Sequence, residues 1–99
     1  MEEISKNLKI LILLNKLGSS GTANLLSHYR KKYGNDGMDG KNVADVLNYH
    51  YKRALVRKKY GKRNPKFWGS IAQVYEVTNR GKEYLKMKEV TYNRPLIIP

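Results

Sequence analysis

The stretch Val43-Ala44-Asp45-Val46-Leu47-Asn48-Tyr49-His50-Tyr51-Lys52-Arg53-Ala54-Leu55-Val56-Arg57-Lys58-Lys59-Tyr60 changes its hydrophobic period partway along. Val43, Val46, Leu47, His50 and Ala54 recur at i, i+3, i+4, i+7 and i+11, the spacing of one inward helical face. From Leu55 onward the pattern alternates and carries β-branched and aromatic residues, as a strand does. A helix over residues 40–53, capped by Asp39, therefore runs into a strand over 55–60. The segment Ala72-Gln73-Val74-Tyr75-Glu76-Val77-Thr78 reads as the second strand of a hairpin. The ten residues between Tyr60 and Ile71 are too many for a tight turn and are expected to project as a loop.

N-terminal to this stretch, a first helix is expected over residues 3–17, with Glu2 and Glu3 at its positive end and Gly18 at its C-terminus. Its run Ile10-Leu11-Ile12-Leu13-Leu14 places apolar side chains about 100° apart, around the whole circumference. Such a helix needs cover on two sides, either from the domain's other elements or from a second copy of the chain. Ser19-Ser20-Gly21-Thr22 reads as a short turn of capping residues before a second helix over 23–33, with Leu25, Leu26 and Tyr29 inward. Arg30-Lys31-Lys32 suit the last turn of that helix on local grounds alone. Gly34-Asn35-Asp36-Gly37 marks a loop, a short helix is expected over 80–88, and the Pro-containing tail over 90–99 is expected to be extended. The expectation is one domain over 1–99, a core over 1–88 and a tail over 89–99.

Ninety-nine residues fit one hydrophobic core. Twenty Lys and Arg against eight Asp and Glu give a net charge of +12, the balance of a polyanion binder. Nine of those twelve net charges fall within residues 30–66. Cysteine is absent, which excludes disulfides, iron–sulfur clusters, thiolate zinc sites and cysteine nucleophiles. His28 and His50 show no metal-ligand spacing, and neither a phosphate-binding Gly-rich loop nor a dinucleotide fingerprint is present. No catalytic constellation, cofactor or metal is expected. The longest apolar run is far short of the roughly 20 residues that span a bilayer, and the start lacks a signal peptide's basic region, so an intracellular protein is expected.

Three helices followed by a basic hairpin resemble the winged helix-turn-helix family, an α+β fold, and two segments carry the likeness. Residues 43–56 are similar to the family's recognition helix running into the first wing strand. Tyr75-Glu76-Val77-Thr78-Asn79-Arg80-Gly81-Lys82-Glu83-Tyr84-Leu85 is similar to the end of the second wing strand and the helix after it. Ala54 stands where the family usually has Gly, and His50 where it usually has Leu. The resemblance covers roughly residues 4–88 and implies DNA binding with the third helix in the major groove. The same fold also serves as a protein-interaction module.

The exposed chemistry favours double-stranded DNA. Lys41, Asn42, Asp45, Asn48, Tyr49 and Lys52 are left on the outward face of the third helix, with side chains able to bond base edges. Lys52, Arg53, Arg57, Lys58, Lys59, Lys62, Arg63 and Lys66 form a run with no acidic residue between the first and last. Within it Lys62, Arg63 and Lys66 are expected at the phosphate backbone or the minor groove, Arg63 being the better groove probe, and Arg53 and Lys59 are counted with the DNA-binding residues. Phe67 and Trp68 either stack on nucleic acid or, more commonly, pack on their own domain. The start of the second helix, residues 20–23, either meets a phosphate or is a plain cap. A transcription regulator that forms a homodimer through the first helix and the C-terminal tail is the expectation. A sequence-independent architectural protein, a protein-interaction module and an RNA binder are the alternatives.

Overall fold

Helix α1 (Lys6–Leu17) starts where Ser5 caps it, the Ser5 Oγ accepting from the Leu8 amide at 3.2 Å, and it ends at Gly18 with a positive φ of 85°. The computed structural model describes residues 4–63 and 71–97, with side chains for 4–59 and 73–97. The helix thus begins about one turn later than the expected residue 3, and Glu2 and Glu3 lie outside the described residues. Leu8 and every member of the run Ile10–Leu14 are buried within the chain. The three later helices and the sheet pack against α1 from within the chain. The cover expected from a second copy is supplied in cis, which removes the ground for an interface on α1.

After Gly18 the chain forms strand β1 (Ser19–Ser20) rather than a plain turn. A two-residue strand has no readable period. Helix α2 (Thr22–Tyr33) follows with Gly21 at its N-cap, burying Leu25 and Tyr29. The Tyr29 hydroxyl donates to Asp36 Oδ2 at 3.0 Å and Arg30 Nη2 donates to the Met38 carbonyl at 3.2 Å, so the α2 side chains hold the connection to the next helix.

Helix α3 (Gly40–Lys52) is capped by Asp39 as expected, Oδ1 accepting from the Asn42 amide at 2.8 Å. Val43, Leu47 and His50 are buried and Val46 is half-buried, as the period required. Ala54 departs from that face: the helix has ended, and Ala54 is exposed in the left-handed region at φ 62°. A left-handed residue there reverses the chain from helix into strand β2 (Val56–Arg63).

Strand β3 (Ile71–Val77) pairs antiparallel with both β2 and β1, giving a three-stranded sheet in the order β1-β3-β2. Val56 pairs with Val77, Arg57 with Glu76, Lys58 with Tyr75 and Lys59 with Val74, with an irregularity between Tyr60 and Arg63. Ser19 pairs with Glu76 and Ser20 with Tyr75. Alternation puts Val56, Tyr75, Val77 and Ser20 on the helix-facing side and Arg57, Lys59, Glu76 and Ser19 on the other.

Helix α4 (Asn79–Tyr92) is capped by Thr78, whose Oγ1 accepts from the Gly81 amide at 3.1 Å and donates to the Ala54 carbonyl at 2.7 Å. It is longer than the expected 80–88, and residues 90–92 are helical rather than extended. Asn93, left-handed at φ 52°, stops it. The tail then turns back, with the amides of Leu96 and Ile97 donating to Glu89 Oε1 at 2.9 and 2.8 Å and Leu96 buried in the core. Two backbone donors hold the Glu89 carboxyl below its usual range.

Candidate nucleic-acid interface

Burial of Val43, Leu47 and His50 fixes the rotation of α3, because side chains about 100° apart leave the opposite arc to solvent. Lys41, Asp45, Asn48 and Lys52 occupy the centre of that arc. Lys41, Asp45, Asn48 and Lys52 are all exposed. Two ammonium groups, one amide and one carboxylate thus share a strip three turns long. An amide can bond the N6 and N7 positions of adenine, an ammonium the acceptors of guanine, and a carboxylate the cytosine amino group.

The remaining expected residues separate from this strip. Asn42 is exposed, but its Nδ2 donates to the Gly37 carbonyl at 3.1 Å, closing the loop that precedes α3. Tyr49, 42% exposed, leans toward the flank that meets α4. There the Arg53 guanidinium lies 4.3 Å from the Tyr49 ring centroid, and Tyr49 meets His50 edge-on at 5.5 Å. Tyr49 and His50 also border a cavity of about 100 Å³ with Tyr84, Lys88 and Tyr92 of α4. Arg53 lines a neighbouring groove with Arg80, Glu83, Tyr84 and Met87. Lys59 sits on the outer face of the sheet, its Nζ 2.9 Å from Glu76 Oε2. The side chains of Lys62 and Arg63, and the whole of Lys66, Phe67 and Trp68, lie outside the described residues.

Sequence reasoning missed the pairing of Tyr51 with Lys58. Tyr51 is 44% exposed on the flank of α3 nearest the hairpin, and Lys58 Nζ lies 4.4 Å from its ring centroid. This cation–π contact ties α3 to the sheet. The signal was present in the period-two alternation of β2, which sends Lys58 toward the helices and Arg57 and Lys59 away from them.

His50 serves the scaffold. It is buried, and its Nε2 lies 2.8 Å from the Asn7 carbonyl, which as an acceptor requires Nε2 to carry the proton. Nδ1 has no partner among the described residues. Burial holds the imidazole below its ordinary pKa, the Asn7 bond opposes that shift and the Arg53 charge adds to it. At the start of α2, Ser20 is buried, accepting from Asn24 Nδ2 at 2.9 Å and donating to the Gly21 carbonyl at 3.1 Å, so its hydroxyl is already engaged. No group of three metal-ligating side chains occurs among the described residues. Among them, too, no helix is long and apolar enough to cross a membrane.

No protein-family model matches the chain, and no curated protein matches it by sequence. Solved structures do. A PadR family transcription regulator from Clostridium difficile is similar with a TM-score of 0.70 at 18% identity, over 88% of this chain and 85% of that one. A transcriptional regulator from Clostridium thermocellum gives a TM-score of 0.72 at 19% identity, over 89% of this chain and 82% of that one. The reduced form of the transcriptional regulator YodB from B. subtilis gives 0.68 at 13% identity, over 91% and 76%. The helix order, the capped third helix leading into an antiparallel hairpin, and these matches over most of each chain converge: this protein has the α+β winged helix-turn-helix fold.

Proposed function

We propose that the protein binds double-stranded DNA as a sequence-specific transcription regulator, placing α3 in the major groove and the hairpin on the backbone or minor groove. The observation that carries this reading is the strip of Lys41, Asp45, Asn48 and Lys52. It is solvent-facing and rigidly presented, since the opposite side of α3 is locked into the core. Lys58 extends it toward the hairpin, where Lys62, Arg63 and Lys66 add charge in sequence. Phosphate contacts would position the domain and the strip would discriminate bases. The solved structures of similar fold carry the names of transcription regulators, which supports the same reading. With α1 covered in cis, one domain engages one face of a duplex.

The architectural reading has its own support in the eight basic residues from Lys52 to Lys66 with no acid among them. Selection of bound sequences from a pool of random duplexes separates the two. An enriched motif supports the regulator, and uniform recovery of the pool supports the architectural protein. Equal or tighter binding to single strands would point to RNA-type recognition instead.

A further inference from the structure

The outer face of the sheet carries a second set of cations that the recognition strip does not use. Arg57 is 64% exposed in its side chain and Lys59 is 53% exposed, and both contact the Glu76 carboxylate, which is only 12% exposed. Those contacts, Lys59 first, hold the Glu76 carboxyl below its usual range, and Ser19 Oγ also donates to it at 3.3 Å. The carboxylate is therefore saturated, and the face keeps an excess of positive charge. Beside it lies a cleft of about 240 Å³ bordered by Ser19, Arg57, Glu76 and Lys82. A second concavity of about 370 Å³, bordered by Arg57, Thr78, Asn79, Arg80 and Lys82, shares Arg57 and Lys82 with the first.

The placement of Arg80 and Lys82 is costly to the fold taken alone. Both sit in the first turns of α4, at the positive end of its dipole, and the first turn holds no acidic residue. Neither side chain takes part in an ion pair among the described residues that would explain it. Three cations, concave ground and an uncompensated helix terminus suit an anionic chain.

We infer that this outer groove, centred on Arg57, Arg80 and Lys82, is a second binding face for the phosphate backbone of duplex DNA, so that one molecule joins two duplex segments. The inference rests on the proposed DNA-binding function of α3. Two faces mean two segments because Lys58 and Arg57 are adjacent on β2 and project to opposite sides of the sheet.

The test is capture of a free, labelled duplex by the full chain already bound to an immobilised duplex of unrelated length. Capture by the wild-type protein is expected. The variant Arg80→Glu/Lys82→Glu is expected to bind the immobilised duplex while capturing at least about a hundredfold less of the second, the scale set by removing two charge-assisted hydrogen bonds. Lys31→Glu/Arg94→Glu, which changes net charge equally at the α2 end of the molecule, should capture normally. Binding of the first duplex without capture of the second by the wild type would overturn the inference and leave the α3 reading intact. Equal reduction of capture in both variants would also overturn it, since net charge rather than the groove would then be responsible. Failure of the wild type to bind any duplex would overturn the underlying function.

Discussion

Gly81 packs directly beneath the Leu55 carbonyl: a Cβ built on Gly81 would stand 2.2 Å from that oxygen and 2.6 Å from Val77 Cγ1. Backbone thus touches backbone where α4 crosses the α3–β2 corner. The same corner is closed by the Thr78 amide donating to the Leu55 carbonyl at 3.0 Å. Replacing Gly81 with Ala would gain about 1 kcal/mol of helix propensity in an open helix. Here the methyl group has nowhere to go, and overpacking typically costs about 1–3 kcal/mol or more. Gly81→Ala is expected to lower unfolding free energy in a denaturant titration. A stabilised variant would mean that the corner is looser than described.

Ala54 predicts the opposite sign. A non-glycine residue in the left-handed region costs roughly 1–2 kcal/mol, offset on substitution by about 0.4–1 kcal/mol of added freedom in the unfolded chain. Ala54→Gly should therefore stabilise by about 0.5–1 kcal/mol with DNA affinity unchanged. Denaturant midpoints of the two proteins compare them directly, and a destabilised Gly variant would refute the strain.

The buried imidazole of His50 gives stability a pH dependence. Its folded pKa is depressed, so between that value and the unfolded pKa of about 6.5 the unfolded chain binds the proton that the folded chain refuses. Stability is complete above about pH 6.5 and falls as pH drops toward the folded value. Glu76 and Glu89, whose carboxyl groups are held low, contribute stability that is lost only at more acidic pH, as they protonate. Thermal melts from about pH 7.5 down to about pH 5 should thus show a decline that His50→Leu reduces. An identical slope in that variant would sink the assignment.

The strip and the loop closure should separate under substitution. Asn48→Ala or Lys41→Ala is expected to relax base preference by about 1–3 kcal/mol for each good base pairing removed, whereas Lys62→Ala should weaken all sequences alike. Asn42→Ala should cost about 0.5–1.5 kcal/mol of stability by removing the hydrogen bond to Gly37, with base preference kept. Binding measured against a preferred and a scrambled duplex distinguishes these outcomes. Uniform weakening by every strip variant would favour sequence-independent binding.

The order of helices and hairpin was legible because periods of 3.6 and two are written in single residues, as at the break between His50 and Val56. Asp39 also announced its helix as a cap. The β1 strand was not legible, since Ser19 and Ser20 are too short a segment to show alternation and pair with Glu76 and Tyr75 far along the chain. Nor was the length of α4: Val90 and Thr91 favour strands by propensity, and the helix continues until Asn93 turns left-handed. Cover of α1 depended on where several elements converge, which no local pattern records. At the site, exposure could be read from the α3 period, but the diversion of Asn42 to Gly37 and of Lys59 to Glu76 arises from partners distant in sequence or off the helix.

DNA binding is most directly tested by the affinity of the full chain for a duplex across a range of salt concentrations. If about five to eight cations of α3 and the hairpin reach phosphates, log K should fall against log salt with a slope of roughly −4.5 to −7. A flat response, or no binding at low salt, would contradict the proposed function.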